Sequence, residues 1–275
     1  MSLPNGFSPR PERLAALEER LFDVIVVGGG ITGAAVARDA ASRGLAVALV
    51  EKDDWASGTS WRSTKLIHGG LRYLKTGGVR LVFESLSERA RLLWLAPHIV
   101  RPVEFLFPAY RRRGIALWML DLGLTAYDLL ALGRSPTRHR RLSREELLCR
   151  EPALESAELV GGAVYSDGWT DDARLTLENV LDAGALGAVA VSRVGVSGIV
   201  RGASARVEGV AVCDQESGRE LRIRGRVCRS RGRSPFPAPT GGSCSRFPTA
   251  RSRFSARRTP FTLGRSMGWR RRPPT

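Results

Sequence analysis

Residues 22–51 constrain the chain more than any other stretch. FDVIVV (22–27) is, Asp23 apart, an apolar, β-branched run of the kind buried on both faces of a parallel sheet. It breaks at Gly28, Gly29 and Gly30. ITGAAVARDAASRG (31–44) places small and apolar residues at helical spacing and ends on Gly44, a residue suited to closing a helix. LAVALVE (45–51) is a second buried strand. Strand, glycine turn, helix and strand in so short a span are the opening unit of a doubly wound α/β domain.

Inside that unit the spacing Gly28-x-Gly30-x-x-Gly33 carries chemistry. The three glycines act in physically distinct ways. Gly28 permits the tight turn, Gly30 lets backbone approach a pyrophosphate, and Gly33 lets helix and strand pack closely. The helix N-terminus attracts phosphate, with Thr32 in its first turn. Glu51 ends the second strand 18 residues after Gly33 and is placed to meet a ribose hydroxyl. An acid there favours an unphosphorylated ribose, hence FAD or NAD over NADP. A glycine triplet alone arises by chance; following a buried strand and opening a helix, it points to a bound dinucleotide.

The rest of the chain reads as ordinary mixed structure. Residues 10–20 suit a short polar helix, 79–95 an amphipathic helix stopped by Pro97, 103–110 a strand whose Pro108 favours an edge, and 115–132 an apolar helix. Ser143-x-x-Glu146 is a capping box, and Asp171 with Asp172 suits the start of a helix, leaving Arg174 a solvated residue or the partner of an acid. Alternating runs separated by glycine turns between 188 and 227 suit a β-meander. The segment 52–78 is rich in Gly, Ser and Thr yet carries charges and aromatics, which marks a functional loop.

Charge and composition exclude several classes. The formal balance is +16, but 15 Arg and no acid lie from Leu221 onward, so the first 220 residues carry 28 Lys and Arg against 27 Asp and Glu. A nucleic-acid binder spreads its basic residues over a folded face, so the total describes a tail and nucleic acid is set aside as a partner. No segment approaches the ~20 uncharged apolar residues of a membrane span; the most apolar stretch, 114–133, contains Asp121 and Asp128. The charged N-terminus does not suit a signal peptide, and a cytoplasmic location is the expectation. Cys149, Cys213, Cys228 and Cys244 lack zinc spacing and read as free thiols; no metal site is expected. His98 and His139 stand alone.

Residues 22–74 and YSDGWTDDARLTLENV (165–180) resemble the FAD-dependent glycerol-3-phosphate dehydrogenases. The most specific piece is STKLIHGGLRYL (63–74), which a generic glycine fingerprint does not contain; flavin oxidases of amines or amino acids share the fingerprint and lack this run. The resemblance covers about residues 20–226. It implies an FAD-binding Rossmann-like domain of the glutathione-reductase type with an inserted antiparallel-sheet substrate domain: a lead-in at 1–20, FAD-domain segments at 21–100 and 171–226, and the start of the substrate region at 101–170. It implies oxidation of sn-glycerol 3-phosphate to dihydroxyacetone phosphate, with hydride passed to FAD and electrons to a quinone or, in oxidase relatives, to oxygen.

Carried onto this chain, the resemblance assigns Gly28, Gly30, Thr32, Gly33 and Glu51 to the ADP half of FAD, and Ser63, Thr64, Leu66, His68 and Gly69 to its pyrophosphate and flavin. It offers Arg72 for the substrate phosphate, whose oxygens a guanidinium holds bidentately, Tyr73 for a substrate hydrogen bond, and His68 as either a flavin contact or the base. Arg111, Arg112 and Arg113 read as a solvated run or as a peripheral contact with anionic lipid on the inner face of the cytoplasmic membrane. Trp61 departs from the family, which has a small residue there. Beyond about Arg226 the expected strand and its Asn-Ala-(Thr/Ala)-Gly-Pro-Trp turn give way to an Arg/Pro/Ser-rich stretch, 227–275, holding 7 of the 15 prolines. Such a stretch is expected to be disordered and out of frame and the fold incomplete, which leaves an active and an inactive form of the enzyme both open. The other readings are an inactive FAD-domain fragment and a basic-tailed protein that binds nucleic acid or acidic surfaces.

Overall fold

A computed structural model describes residues 8–203 and 205–225 and leaves aside the side chains of Arg72 and Lys75; among the described residues three sheets organise the fold. The expectations for 227–275 lie outside the described residues.

The glycine unit forms as its pattern requires. Strands β1 (Leu21–Phe22) and β2 (Val24–Val27) lead into helix α2 (Ile31–Ser42) and strand β3 (Val47–Val50), after an entering helix α1 (Arg10–Glu19). β3 lies between β2 and β8 (Val189–Val191), parallel to both, with Ile25 opposite Ala48 and Ala48 opposite Val189. All four residues of β3 are buried, which explains its unbroken apolar composition. α2 presents Ala34, Ala37, Ala40 and Ala41 to this sheet and to Val180 and Ala183 of helix α6 (Asp172–Ala185). Alanines at that spacing allow the two helices to lie close above the strands.

The meander follows as strands β9 (Val194–Arg201), β10 (Val207–Asp214) and β11 (Glu220–Gly225), antiparallel in sequence order, with β11 also parallel to β1. Its apolar face joins Leu17 of α1, Phe22, Val50 and Val191 in one core. α1 is pinned by Arg10, which donates to the Ser192 carbonyl at 2.7 Å and pairs with Asp214, and by Arg13, which donates to the Ala190 carbonyl at 2.7 Å. Burial raises the Asp214 pKa, but hydrogen bonds from Ser217 and Arg10 outweigh it and hold the carboxyl below the ordinary range. A depressed carboxylate stabilises the fold above about pH 4 and loses that contribution as pH falls through its folded value. Asp214→Asn is therefore expected to flatten the acid limb of an unfolding-midpoint profile while wild type keeps it; superimposable profiles would deny Asp214 the role.

The third sheet is antiparallel. Its long strand β7 (Leu159–Thr170) pairs along its length with β5 (Val100–Tyr110), and on its other side with β4 (Leu66–Ile67) and β6 (Arg140–Leu142). β5 lies at one edge, where Pro102 and Pro108 are tolerated. Helices α3 (Val79–Leu95) and α4 (Leu117–Ala131) cover this sheet together with α5 (Arg144–Arg150). The Ser143 capping box forms, and Asp171 accepts from the Ala173 and Arg174 amides at the start of α6, with Arg174 paired to Glu178. One expectation fails: Cys149 is a free thiol, but Cys213, buried in β10, is disulfide-bonded.

Candidate functional site

The cradle is built from backbone. Gly28 takes φ +107°, a left-handed conformation that a side chain resists, and Gly30 precedes α2 without contributing a side-chain cap. A Cβ on Gly33 would run into the Gly28 carbonyl oxygen, so close passage of the helix over the turn demands glycine there. Thr32 is exposed in the first turn of α2. Glu51 closes the cradle: its carboxylate accepts from the Gly29 amide at 2.6 Å and from the Asp53 amide at 2.9 Å, and the Trp55 ring lies against Gly29 beside it.

Ser60 joins the cradle with no sequence signal to announce it. Its hydroxyl accepts from the Ile31 amide at 2.9 Å and sits against Gly30, so the loop after β3 folds back onto the helix N-terminus. Its neighbour Trp61, half exposed, donates from Nε1 to the Ser57 carbonyl at 3.0 Å and carries the Arg62 guanidinium over its ring at 5.4 Å. The loop thus accommodates the indole on its outer side.

The remaining site residues form a second cluster. The Ser63 hydroxyl bonds Asp172 in α6 and accepts from the Lys65 amide, while Thr64 is exposed. Leu66 and Ile67 pair with Trp169 and Gly168 of β7. His68 is exposed and lines a shallow depression with Ile67, Glu84 and Glu88. Gly69 and Gly70 are buried; Arg72 and Tyr73 follow in a 3-10 segment, Leu71–Thr76, with the Tyr73 ring packed against Gly70. The Arg72 side chain lies outside what the structure describes.

Beneath this loop is a buried polar network that the sequence did not reveal. Arg89 in α3 is fully buried and pairs with Asp167 of β7, which is 3% exposed; the guanidinium also donates to the Ser166 carbonyl at 3.1 Å and to Ser135 Oγ at 2.9 Å. The Tyr127 hydroxyl donates to Asp167 at 2.7 Å and accepts from the Gly69 amide at 2.8 Å. Burial, then the Asp167 carboxylate beside it, pushes Tyr127 well above the ordinary phenol range, so the proton stays on the hydroxyl. A signal did exist. Val82, Leu86 and Arg89 share helical spacing, which places Arg89 on the inward face of α3.

The sequence profile described as "DAO: FAD dependent oxidoreductase" matches residues 23–228. Among curated proteins, the chain is 42% identical over 226 residues to the alpha-glycerophosphate oxidase of Streptococcus pyogenes serotype M1, covering 80% of this chain and 37% of that protein. It is 42% identical over 208 residues to the glycerol-3-phosphate dehydrogenase of Synechocystis, covering 75% and 38%. The chain therefore spans well under half the length of these relatives. Among solved structures, the glycerol-3-phosphate dehydrogenase from Bacillus halodurans complexed with FAD matches with a TM-score of 0.60 and 34% identity, over 78% of this chain and 35% of that one.

Proposed function

From the premise that the chain belongs to the FAD dependent oxidoreductase family, we propose that it takes part in flavin-linked oxidation of sn-glycerol 3-phosphate to dihydroxyacetone phosphate. The observation that carries the substrate class is identity of 42% over 226 and 208 residues to two proteins named for glycerol phosphate. The residues present suit FAD. A side-chain-free turn, a helix N-terminus whose first amide is held by the Ser60 hydroxyl of the neighbouring loop, and an acid at the end of β3 suit a pyrophosphate and a ribose. When bound, FAD supplies the electron acceptor for oxidation of an alcohol.

In the proposed division of labour, Gly28, Gly30, Thr32, Gly33 and Glu51 hold the ADP half, while Ser63, Thr64, Leu66, His68 and Gly69 border the pyrophosphate and flavin. Arg72 holds the substrate phosphate, and Tyr73 bonds the substrate. Segments 21–100 and 171–226 form the cofactor domain and 101–170 the start of the substrate region. Among the described residues no helix is long and apolar enough to cross a membrane. Exposed Arg111 and Arg112 lie close in sequence to α4, which exposes Trp118, Leu122 and Leu129; this favours a peripheral membrane contact and a quinone as electron acceptor.

The purified full chain should carry or take up FAD, seen as flavin absorbance, and should reduce an artificial electron acceptor on addition of sn-glycerol 3-phosphate. It should also sediment with vesicles of mixed neutral and anionic phospholipid. Flavin uptake without glycerol 3-phosphate turnover would replace the enzyme reading by that of a non-catalytic FAD domain. Acceptor-independent oxygen consumption would replace quinone by oxygen, and a chain left in the supernatant would remove the membrane contact.

A further inference from the structure

The segment bearing His68 is anchored on both sides, and the second anchor comes from far away in the sequence. Before His68, Leu66 and Ile67 are registered against β7. After it, the Gly69 amide is buried and donates to the Tyr127 hydroxyl at 2.8 Å, with Asp167 Oδ1 further off at 3.4 Å. We infer that Tyr127 is a positioning residue for the flavin site, holding the Gly69 amide so that the backbone at His68 keeps one fixed placement; this rests on the flavin reading above.

The direction of the bonds supports the role. A carboxylate only accepts, so the single Tyr127 proton goes to Asp167 and the phenolic oxygen is left as the acceptor for Gly69. Asp167 cannot turn away because Arg89, itself held by Ser135 and the Ser166 carbonyl, pairs with it. The bare backbone at Gly69 is part of the fit: a Cβ there would collide with Leu86 and with the Tyr127 hydroxyl. Helices α3 and α4 and strand β7 thus converge on one peptide amide. The polar groups of that network are not needed to bury apolar surface, since an apolar network of the same shape would serve as well.

Tyr165 supplies a matched control. It lies in the same core, its ring 6.2 Å from that of Tyr127 and stacked on Phe105, and burial with the Asp167 charge pushes it up to about 12. Its hydroxyl is not bonded to Gly69. In the full chain, Tyr127→Phe and Tyr165→Phe each delete one hydroxyl and keep the ring. Amide hydrogen exchange read by mass spectrometry on the peptide containing Gly69 should rise about tenfold in Tyr127→Phe and stay at the wild-type rate in Tyr165→Phe. The Kd for added FAD should rise about tenfold in Tyr127→Phe alone, with an altered visible circular dichroism of the bound flavin. Equal exchange in the two variants, or an unchanged flavin Kd and dichroism in Tyr127→Phe, would overturn the positioning role while leaving flavin binding intact. A wild-type chain that takes up no FAD would instead overturn the flavin reading, and the role beside the flavin with it.

Discussion

Gly33→Ala is expected to leave a chain that neither reaches the native fold in good yield nor retains FAD. The new Cβ would lie well inside contact distance of the Gly28 carbonyl oxygen, and both groups are backbone-fixed: Gly28 by the hydrogen bond its amide donates to the Val50 carbonyl at 2.8 Å, α2 by alanines pressed on the sheet. Overpacking that a side chain cannot relieve costs about 3 kcal/mol or more, against a total stability of about 5–15 kcal/mol. Relief by lifting α2 would separate its N-terminus from the turn and open the cradle. Urea unfolding followed by far-ultraviolet circular dichroism, with flavin retention on gel filtration, would test this. Wild-type midpoint and wild-type flavin content in Gly33→Ala would show that the helix does not pass as close as the structure places it. Gly44→Ala, where φ is +78° but no neighbour stands within 4 Å of the new Cβ, is the comparison: strain without collision, and a smaller loss near ~1 kcal/mol.

The second large effect is expected at Asp167. Truncation to Ala strands a fully buried guanidinium whose other partners are one carbonyl and two hydroxyls, and removes the acceptor that orients Tyr127. Breaking one side of such a pair costs about 3–5 kcal/mol, mostly from the charge left behind. The double variant Arg89→Met with Asp167→Asn should lose clearly less than the two single changes added together, because it leaves no unpaired charge. Additivity in a double-mutant cycle would mean that Arg89 and Asp167 do not depend on each other. Native exchange should show the same pattern locally, with the peptide around Gly69 opening first in Asp167→Asn.

Much of the local architecture was legible in the residues. The helix at Val79–Leu95, the capping box at Ser143, the N-terminal Asp171 of α6 and the three-stranded meander all rest on signals within a few positions of each other. The cradle was equally legible, because φ at Gly28 and the close approach at Gly33 leave no choice of residue. The strand expected at 103–110 begins three residues earlier, at Val100, since β7 is long enough to pair with the additional residues Val100, Arg101 and Pro102. The partner of α2's first amide was not legible: Ser60 stands 29 residues away, and its hydroxyl resembles every other serine in a polar loop until the loop is closed.

What the sequence determined by itself is the conformation of each short segment and the class of ligand its glycine turn can admit, because those depend on sterics between near neighbours. What only the tertiary structure decided is which polar groups are taken from water. Arg89 belongs to an amphipathic helix and would pass for a solvated residue, yet its acceptor lies 78 residues away on β7 and the tyrosine that shares that acceptor 38 residues away on α4. Burial of a charge is tolerated only when all its partners arrive together. That condition is met by the packing of α3, α4 and β7 and by no local pattern, and it is what places the Gly69 amide, and with it the backbone beside His68.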